Sequence, residues 1–138
     1  MKTIEWFACL SFEKKDILFP RDGILECRYD EGSAPEVRWN DSYIRPVNLD
    51  LILKNSFGFS ITDSLNCTII LRGLNDFAVQ TEAVPVMKEI ALSELRPVSG
   101  LAADFLLRSG IIAFRFLHDR IQYVVDIQKL MEKAGAAV

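Results

Sequence analysis

Apolar residues in this chain recur mostly at every second position, in short runs separated by turn-forming residues. Such alternation places every other side chain on one face of a β-strand, whereas a helix would show a period near 3.6. One face of the first predicted strand is formed by Trp6, Ala8, Leu10 and Phe12. The charged residues 13–16 then predict a turn into a second strand at 17–19. The chain is therefore predicted to be mainly β and to open with a hairpin.

Further strands are predicted where apolar or alternating runs are bounded by Gly, Pro, Asp or Asn. These runs cover 24–29, 37–39, 43–49 with its continuation 51–53, 67–71, 77–81, 111–117 and 120–125. Residues 40–42 predict a hairpin turn, and Pro46 favours an edge position or a bulge. The intervening segments predict a loop at 30–35, a connection at 55–60 and a turn at 73–76. The stretch 84–92 fits no single element because Pro85 interrupts it.

Helical signals are few and short. Ser99 is a suitable N-cap for a helix at 101–108, and Gly110 is placed to end it in a left-handed conformation. Residues 93–95 fit one helical turn, and Asp126 fits the N-cap of a last helix that runs to about Ala134 before Gly135. Strand and hairpin patterns occupy both halves of the chain, so two small barrels that share an interface fit better than one large sheet.

Length, charge and cysteine content narrow the possible classes. A chain of 138 residues is long enough for one domain with a core. Its 16 Lys and Arg are scattered among 19 Asp and Glu, which disfavours a nucleic-acid partner. The three widely spaced cysteines predict reduced thiols and a cytoplasmic location. We expect neither a signal peptide, since the apolar run 6–10 is short, nor a membrane-inserted segment.

Residues for catalysis or cofactor binding are sparse, and we predict that the chain is not an enzyme. The single histidine, His118, falls in a predicted tight turn, where solvation is the usual role of such a residue. Cys27 and Cys67 lie in apolar strand patterns that favour packing over nucleophilic chemistry. No spacing suits a metal ion, and Gly73 and Gly100 begin no phosphate-binding loop, so we expect neither a metal nor a cofactor.

The residues 68–131 resemble the second half of the CheW family of chemotaxis coupling proteins. The resemblance rests on TIILRGLNDFAVQTEAV, LSELRPVSGLAADFLLRSGII and IQYVVDIQKLM, and on IRPVNLDLIL at 44–53 in the first half. It implies two intertwined five-stranded SH3-like barrels with short helices and a C-terminal helix. The subdomains are expected at about 14–65 and 66–138, and the strand 4–12 is expected to pack with the second.

The resemblance also implies a function: a non-enzymatic adaptor that couples chemoreceptors to a CheA-type histidine kinase. In the family, a groove between the barrels takes the receptor tip, and barrel ends meet the regulatory domain of the kinase. Asp41 stands where the family has a receptor-contacting Arg, and Ser42 where it has Gly, so the charge is reversed there. A divergent SH3-like regulatory module, which binds a small molecule or an unrelated protein outside chemotaxis, is the alternative.

The partner-binding residues that we predict are Ile24, Trp39, Asp41, Tyr43, Ile44 and Glu82. Trp39 and Tyr43 flank the predicted hairpin tip, where aromatic side chains serve either as anchors for a partner or as packing within the barrel. Ile24 takes the place of an apolar family residue that borders the receptor groove, and core burial is its other explanation. Glu82 replaces a family Asp near the end of the second barrel, where it either sets a turn or contacts a neighbouring chain.

Overall fold

Residues 3–29, 34–59, 65–100 and 103–133 are described in the structure, which is a computed structural model. The strands are β1 (Ile4–Phe12), β2 (Lys15–Pro20), β3 (Ile24–Tyr29), β4 (Val37–Trp39), β5 (Ser42–Ile44), β6 (Val47–Asn48), β7 (Cys67–Leu71), β8 (Phe77–Thr81), β9 (Val86–Ala91), β10 (Arg96–Pro97), β11 (Ile111–Leu117) and β12 (Arg120–Val125). The helices are α1 (Leu49–Phe57), α2 (Ala103–Arg108) and α3 (Ile127–Lys133). The prediction of a mainly β chain is confirmed.

The chain divides into two compact units, of which one comprises residues 1–22 and 85–137. This six-stranded unit has the sheet order β10-β11-β12-β2-β1-β9. Strands β2 and β12 pair in parallel, and the other neighbours are antiparallel. The opening hairpin and the late hairpin β11–β12 are therefore joined into one sheet by pairing between residues about a hundred positions apart, such as Asp16 and Gln122.

Strand alternation sorts the side chains of the six-stranded unit into core and surface. One buried cluster consists of Phe7, Cys9, Leu18, Ile90 and Val124. Helix α3 buries Ile127, Leu130 and Met131. Asp126 begins this helix as predicted, because its Oδ1 accepts a hydrogen bond of 3.1 Å from the backbone N–H of Lys129. Such a cap contributes about 1 kcal/mol to helix stability.

The second compact unit, here called the inserted unit, comprises residues 23–84. It contains a four-stranded sheet in the order β3-β7-β8-β6 and a separate two-stranded sheet, β4–β5. Strands β7 and β8 are buried at every residue, including the polar Thr68, Gln80 and Thr81, as expected for strands covered on both faces. Both strands have the predicted bounds.

Helix α1 corrects the sequence prediction, which placed a strand at 43–49 with a continuation at 51–53 and a connection at 55–60. The strands here are shorter, and the chain turns helical at Leu49. Asn48 Oδ1 accepts a hydrogen bond of 3.0 Å from the backbone N–H of Leu51, and Gly58 ends the helix at a φ of 68°. Leu49 and Leu53, four residues apart, are both fully buried. A capped helix with a buried stripe therefore replaces the predicted strand.

Several other predictions concern turns and boundaries. The segment 84–92, which had no clear assignment, forms β9 and then a 3-10 turn at Leu92–Glu94. Gly110 has the predicted positive φ, at 92°. Residues 101–102, most of the loop 30–35, and the predicted stop at Ala134 and Gly135 lie outside the described residues.

The finer prediction of two intertwined five-stranded barrels is not confirmed. Within the described ranges, the hydrogen-bonded sheets contain six, four and two strands, and their strand orders do not close into a barrel. The division into subdomains at about 14–65 and 66–138 stays a prediction.

Candidate partner-binding surface

The hairpin β4–β5 carries four of the six predicted binding residues. Its register pairs Val37 with Ile44, Arg38 with Tyr43, and Trp39 with Ser42. Asn40 and Asp41 form the turn, with φ values of 49° and 61°. Positive φ at both central residues is the geometry that two-residue hairpin turns prefer, because it matches the twist of the strands. The short Asn-Asp turn thus fixes which side chains share a face.

The inner face of the hairpin packs within the inserted unit. Trp39 and Ile44 lie against a buried cluster formed by Val37, Ile70 and Ala78. The indole Nε1 of Trp39 donates a hydrogen bond of 3.0 Å to Oδ2 of Asp76. This side chain is half-buried and its only N–H donor is used, so packing within the inserted unit accounts for the position of Trp39. Partner binding by Trp39 and Ile44 stays a prediction.

The outer face presents Arg38, Asp41 and Tyr43, which together we call the hairpin surface. Tyr43 is 67% exposed, and the side chain of Asp41 is 99% exposed. Arg38 Nη2 and Asp41 Oδ1 are 3.8 Å apart, a solvated ion pair that contributes little to stability. Behind this face, Arg28 Nη2 donates to the backbone carbonyl of Arg38 over 2.9 Å. The hairpin surface therefore combines one exposed ring with two opposite charges on a fixed strand pair.

The structure places the other two predicted residues at opposite ends of the four-stranded sheet. Ile24 is half-buried and pairs with Leu71, next to the turn that holds Asp76. Glu82 follows the far end of β8, about 16 Å away along the strand. The hairpin residues and Ile24 thus lie toward one end of the sheet, and Glu82 lies apart from them.

Sequence reasoning missed three residues near the hairpin. Arg38 shares the outer face with Tyr43, and Asp76 fixes Trp39. Leu74, in the turn that Asp76 connects to the hairpin, is 92% exposed. An apolar residue inside the predicted turn 73–76 was a visible signal for an exposed apolar side chain. Arg38 and Asp76 had no comparable signal, because their roles depend on the folded register.

Asp50 explains the local position of Glu82. Its carboxylate is fully buried and accepts hydrogen bonds from Thr81 Oγ1 at 2.6 Å and from the backbone N–H of Glu82 at 2.8 Å. Burial raises the pKa of Asp50, and the two hydrogen bonds only partly oppose this effect. The backbone N–H of Glu82 therefore joins the end of β8 to the first turn of α1, and the role of the Glu82 side chain stays a prediction.

The six-stranded unit contains a second buried carboxylate, Asp16. It accepts hydrogen bonds from Arg120 Nη2 at 2.5 Å and from Gln122 Nε2 at 2.8 Å. Gln122 Oε1 in turn accepts from Arg115 Nε at 2.6 Å, and Arg115 Nη1 lies 2.7 Å from Glu94 Oε2. Burial disfavours the charge of Asp16, but the hydrogen bonds outweigh it and hold the pKa of Asp16 below its usual value. This chain of polar contacts links three strands.

The thiols have the properties of packed residues. Cys9 and Cys67 are buried, and all three cysteines are free. Burial is the main cause that raises the pKa of each thiol, to about 11 for Cys67. A thiol with a raised pKa is a poor nucleophile at neutral pH. His118 occupies the β11–β12 turn at a φ of 51° and is exposed. Across the described ranges, no group of three or more His, Cys, Asp or Glu side chains is arranged to hold a metal ion.

A shallow cleft of about 440 Å³ lies in the six-stranded unit. Its lining residues are Ser93, Glu94, Arg96, Arg115, Phe116 and Leu117. The three helices of the described chain, at most nine residues each, are all too short to cross a bilayer.

Comparisons with known proteins bear on the fold of this chain. No protein-family model matches the sequence, and no curated protein matches it by sequence similarity. Among solved structures, the chain is similar to the scaffolding protein TtCheW from Thermoanaerobacter tengcongensis, with a TM-score of 0.64. That match covers 94% of each chain at 14% sequence identity. The chain therefore has a CheW-like fold.

Proposed function

We propose that this chain is a non-enzymatic adaptor of chemotaxis-type signal transduction, which couples chemoreceptors to a CheA-type histidine kinase through protein contacts. The single observation that carries this proposal is the CheW-like fold along 94% of the chain. The shared fold supports a shared role, which particular surfaces of the fold carry out. The proposal includes a cytoplasmic location. It also includes two SH3-like barrels of five strands each, formed by subdomains of about 14–65 and 66–138.

The hairpin surface is our candidate contact for the receptor tip. Tyr43 provides a ring with two rotatable side-chain bonds, which limits the entropy cost of an aromatic contact. Asp41 reverses the charge that the family presents at this place, so we expect the cognate receptor to offer a basic group there. Trp39 packs against its own unit, so Tyr43 is the aromatic side chain that we propose for this contact.

The experiment measures binding of the purified chain to two probes from the same genome: a CheA-type regulatory domain and a receptor cytoplasmic tip fragment. We expect the wild-type chain to bind both. Tyr43→Ala should weaken receptor binding about tenfold or more, as a central aromatic contact does. Asp41→Arg should slow association and change its salt dependence. Phe116→Ala, which removes a similarly exposed ring from the other unit, is the control and should leave receptor binding unchanged.

Failure of the wild-type chain to bind either probe would remove the adaptor proposal. Kinase binding without receptor binding would retain the coupling to the kinase and reject the hairpin surface as the receptor contact. Each outcome requires that the variants keep the melting temperature of the wild type, which is expected because Tyr43 and Asp41 are exposed.

The cleft in the six-stranded unit favours one other function, a regulatory module that binds a small anion. Arg115 is held in place by Gln122 and Glu94, whereas Arg96 lies at the rim and is exposed. If this function is correct, a panel of small carboxylates and phosphates should include one that raises the melting temperature of the wild type but not of Arg96→Ala. A panel with no effect argues against this second function.

A further inference from the structure

Strand β9 forms an open edge of the six-stranded sheet. It is the last strand in the hydrogen-bonded order, and its neighbour is β1. The backbone N–H of Leu92 donates to the carbonyl of Thr3 over 2.9 Å. Since backbone groups along a strand point alternately to its two sides, this bond determines which β9 residues face β1. Lys88 and Ile90 therefore direct their backbone groups toward β1, whereas Met87, Glu89 and Ala91 direct theirs outward. In the described part of the chain, no strand pairs with these outward groups.

Exposed apolar side chains surround this edge. They are Ile4 at 50%, Trp6 at 43%, Val86 at 56% and Leu92 at 36% exposure. Trp6 lies opposite Glu89, and Ile4 lies opposite Ala91, so both share the face of Glu89. The guanidinium of Arg21 covers the ring of Trp6 at 5.5 Å and holds it in place. An open strand edge beside exposed apolar residues is a site at which a further strand can pair.

The charges along β9 disfavour a second copy of this chain as the occupant. In a symmetric antiparallel pair of β9 strands, one residue always lies opposite its own copy, because opposed residues direct their backbone groups alike. The two central registers oppose Lys88 to Lys88 or Glu89 to Glu89, and directly opposed like charges are destabilising. Neither side chain has an ion-pair partner among the described residues. Lys88 and Glu89 instead suit a partner strand that carries an acidic residue opposite Lys88 and a basic residue opposite Glu89.

We propose that the edge of β9 binds an extended segment of a different protein as a seventh, antiparallel strand. The segment carries a basic residue opposite Glu89 and an acidic residue opposite Lys88, and apolar residues opposite Met87, Ile90 and Ala91. Backbone hydrogen bonds to Met87, Glu89 and Ala91 supply affinity, and the two charge pairs set register and direction. This inference is independent of the proposed coupling role, because it concerns neither the hairpin surface nor any kinase or receptor.

The test uses a capped peptide with the core Val-Ile-Lys-Glu-Val flanked by threonines, which is the antiparallel complement of 87–91. Its control has the two charges exchanged, Val-Ile-Glu-Lys-Val. Amide hydrogen exchange of the full chain is followed by NMR. In the free protein, the amides of Lys88 and Ile90 should exchange slowly and those of Met87, Glu89 and Ala91 quickly. The first peptide should slow the latter three, and the exchanged peptide should bind about fivefold or more weakly.

The double variant Lys88→Glu with Glu89→Lys provides the reciprocal control, because it should prefer the exchanged peptide by a similar factor. Equal binding of both peptides by the wild type would show that charge does not set the register. Slow exchange of all five amides in the free monomer would show that the edge is already covered. Protection that rises with protein concentration alone would identify a second copy as the occupant. If millimolar concentrations of the first peptide do not slow exchange of the Met87, Glu89 and Ala91 amides, the proposal is likewise overturned.

Discussion

The indole Nε1 of Trp39 donates its hydrogen bond to Asp76 Oδ2 over 3.0 Å, which joins the hairpin β4–β5 to the turn between β7 and β8. The bond accounts for the orientation of the hairpin, because the inner ring is held while the outer ring, that of Tyr43, stays exposed. Binding tests at this site therefore need to change Tyr43, since a change at Trp39 alters folding as well.

The Trp39–Asp76 bond should be measurable as a coupling free energy. Trp39→Phe and Asp76→Ala should each destabilise the chain, and the double variant should be less destabilised than their sum by about 1 kcal/mol. Denaturant unfolding of the four proteins provides the cycle. Strict additivity would mean that the bond contributes no net stability. Trp39→Phe keeps most of the packing against Ile70 and Ala78, so it isolates the polar contact.

The roles of Trp39 and Tyr43 show how much of the site the sequence predicts. Both rings flank a predicted turn, and the sequence treated them as equivalent candidates. The predicted turn of three residues, 40–42, would pair 39 with 43 on one face. The structure instead has a turn of two residues, which pairs 39 with 42 and 38 with 43, so the two rings fall on opposite faces. Turn length alone thus separates the packed ring from the exposed one. The hydrogen bond between Trp39 and Asp76 joins residues 37 positions apart in the sequence, so no local pattern predicts it.

Helix α1 shows why one part of the fold was mispredicted. The run from 44 to 53 alternates well enough to suit a strand, and the CheW-like resemblance favoured the same assignment. The competing signals were the cap residue Asn48 and Gly58, with Leu49 and Leu53 four apart. By contrast, β7 and β8 had the predicted bounds because each is a short, mostly apolar run that adjoins the turn residues 73–76. The parallel pairing of β2 with β12 had no sequence signal, since it joins distant segments.

Asp41 should carry a conformational cost at its φ of 61°. Asp41→Gly is expected to stabilise the chain by up to about 1 kcal/mol, because glycine adopts a left-handed conformation without a Cβ penalty. The solvated pair with Arg38 offsets little of this gain. Denaturant midpoints of the two proteins measure the difference, and Ser42→Gly is the matched control. Ser42 lies in β5, so glycine there should be neutral or destabilising. A loss of stability in Asp41→Gly would contradict the turn geometry.

Asp16 should stabilise the chain in its ionised form. Its folded-state pKa lies below the unfolded value of about 4, so its contribution is present above that pH and is lost as pH falls through the folded pKa. Asp16→Asn should lower the free energy of unfolding by about 2 kcal/mol at neutral pH, since Arg120 and Gln122 lose a charged acceptor. Unfolding measured between pH 3 and 7 should show the two proteins converging in acid. A difference that does not vary with pH would contradict the assignment.

Asp50 should behave in the opposite sense. Its folded-state pKa is raised by burial, so its stabilising contribution is full below the unfolded value and is lost as pH rises through the folded pKa. Asp50→Asn keeps an acceptor for the backbone N–H of Glu82 and a donor for Thr81 Oγ1. Its stability relative to the wild type should therefore increase as pH rises from the unfolded value through the raised folded pKa. This range lies above the one in which Asp16→Asn loses stability relative to the wild type. Asp50→Ala controls for lost hydrogen bonds and should be destabilised at every pH.

Gly110 should be intolerant of any side chain, for two separable reasons. Its φ of 92° strains other residues, and a Cβ there would lie 3.0 Å from the carbonyl oxygen of Asp126 and from the backbone nitrogen of Leu130. Backbone atoms at the start of α3 cannot move aside without disturbing the buried Leu130. Gly110→Ala is expected to cost about 2 kcal/mol or more in thermal or denaturant unfolding. Gly100→Ala has a comparable φ, 84°, but open space around the new Cβ, so it measures strain alone. Equal losses of stability at the two positions would mean that α3 does not pack closely against Gly110. A larger loss at Gly110 measures the contribution of that close approach.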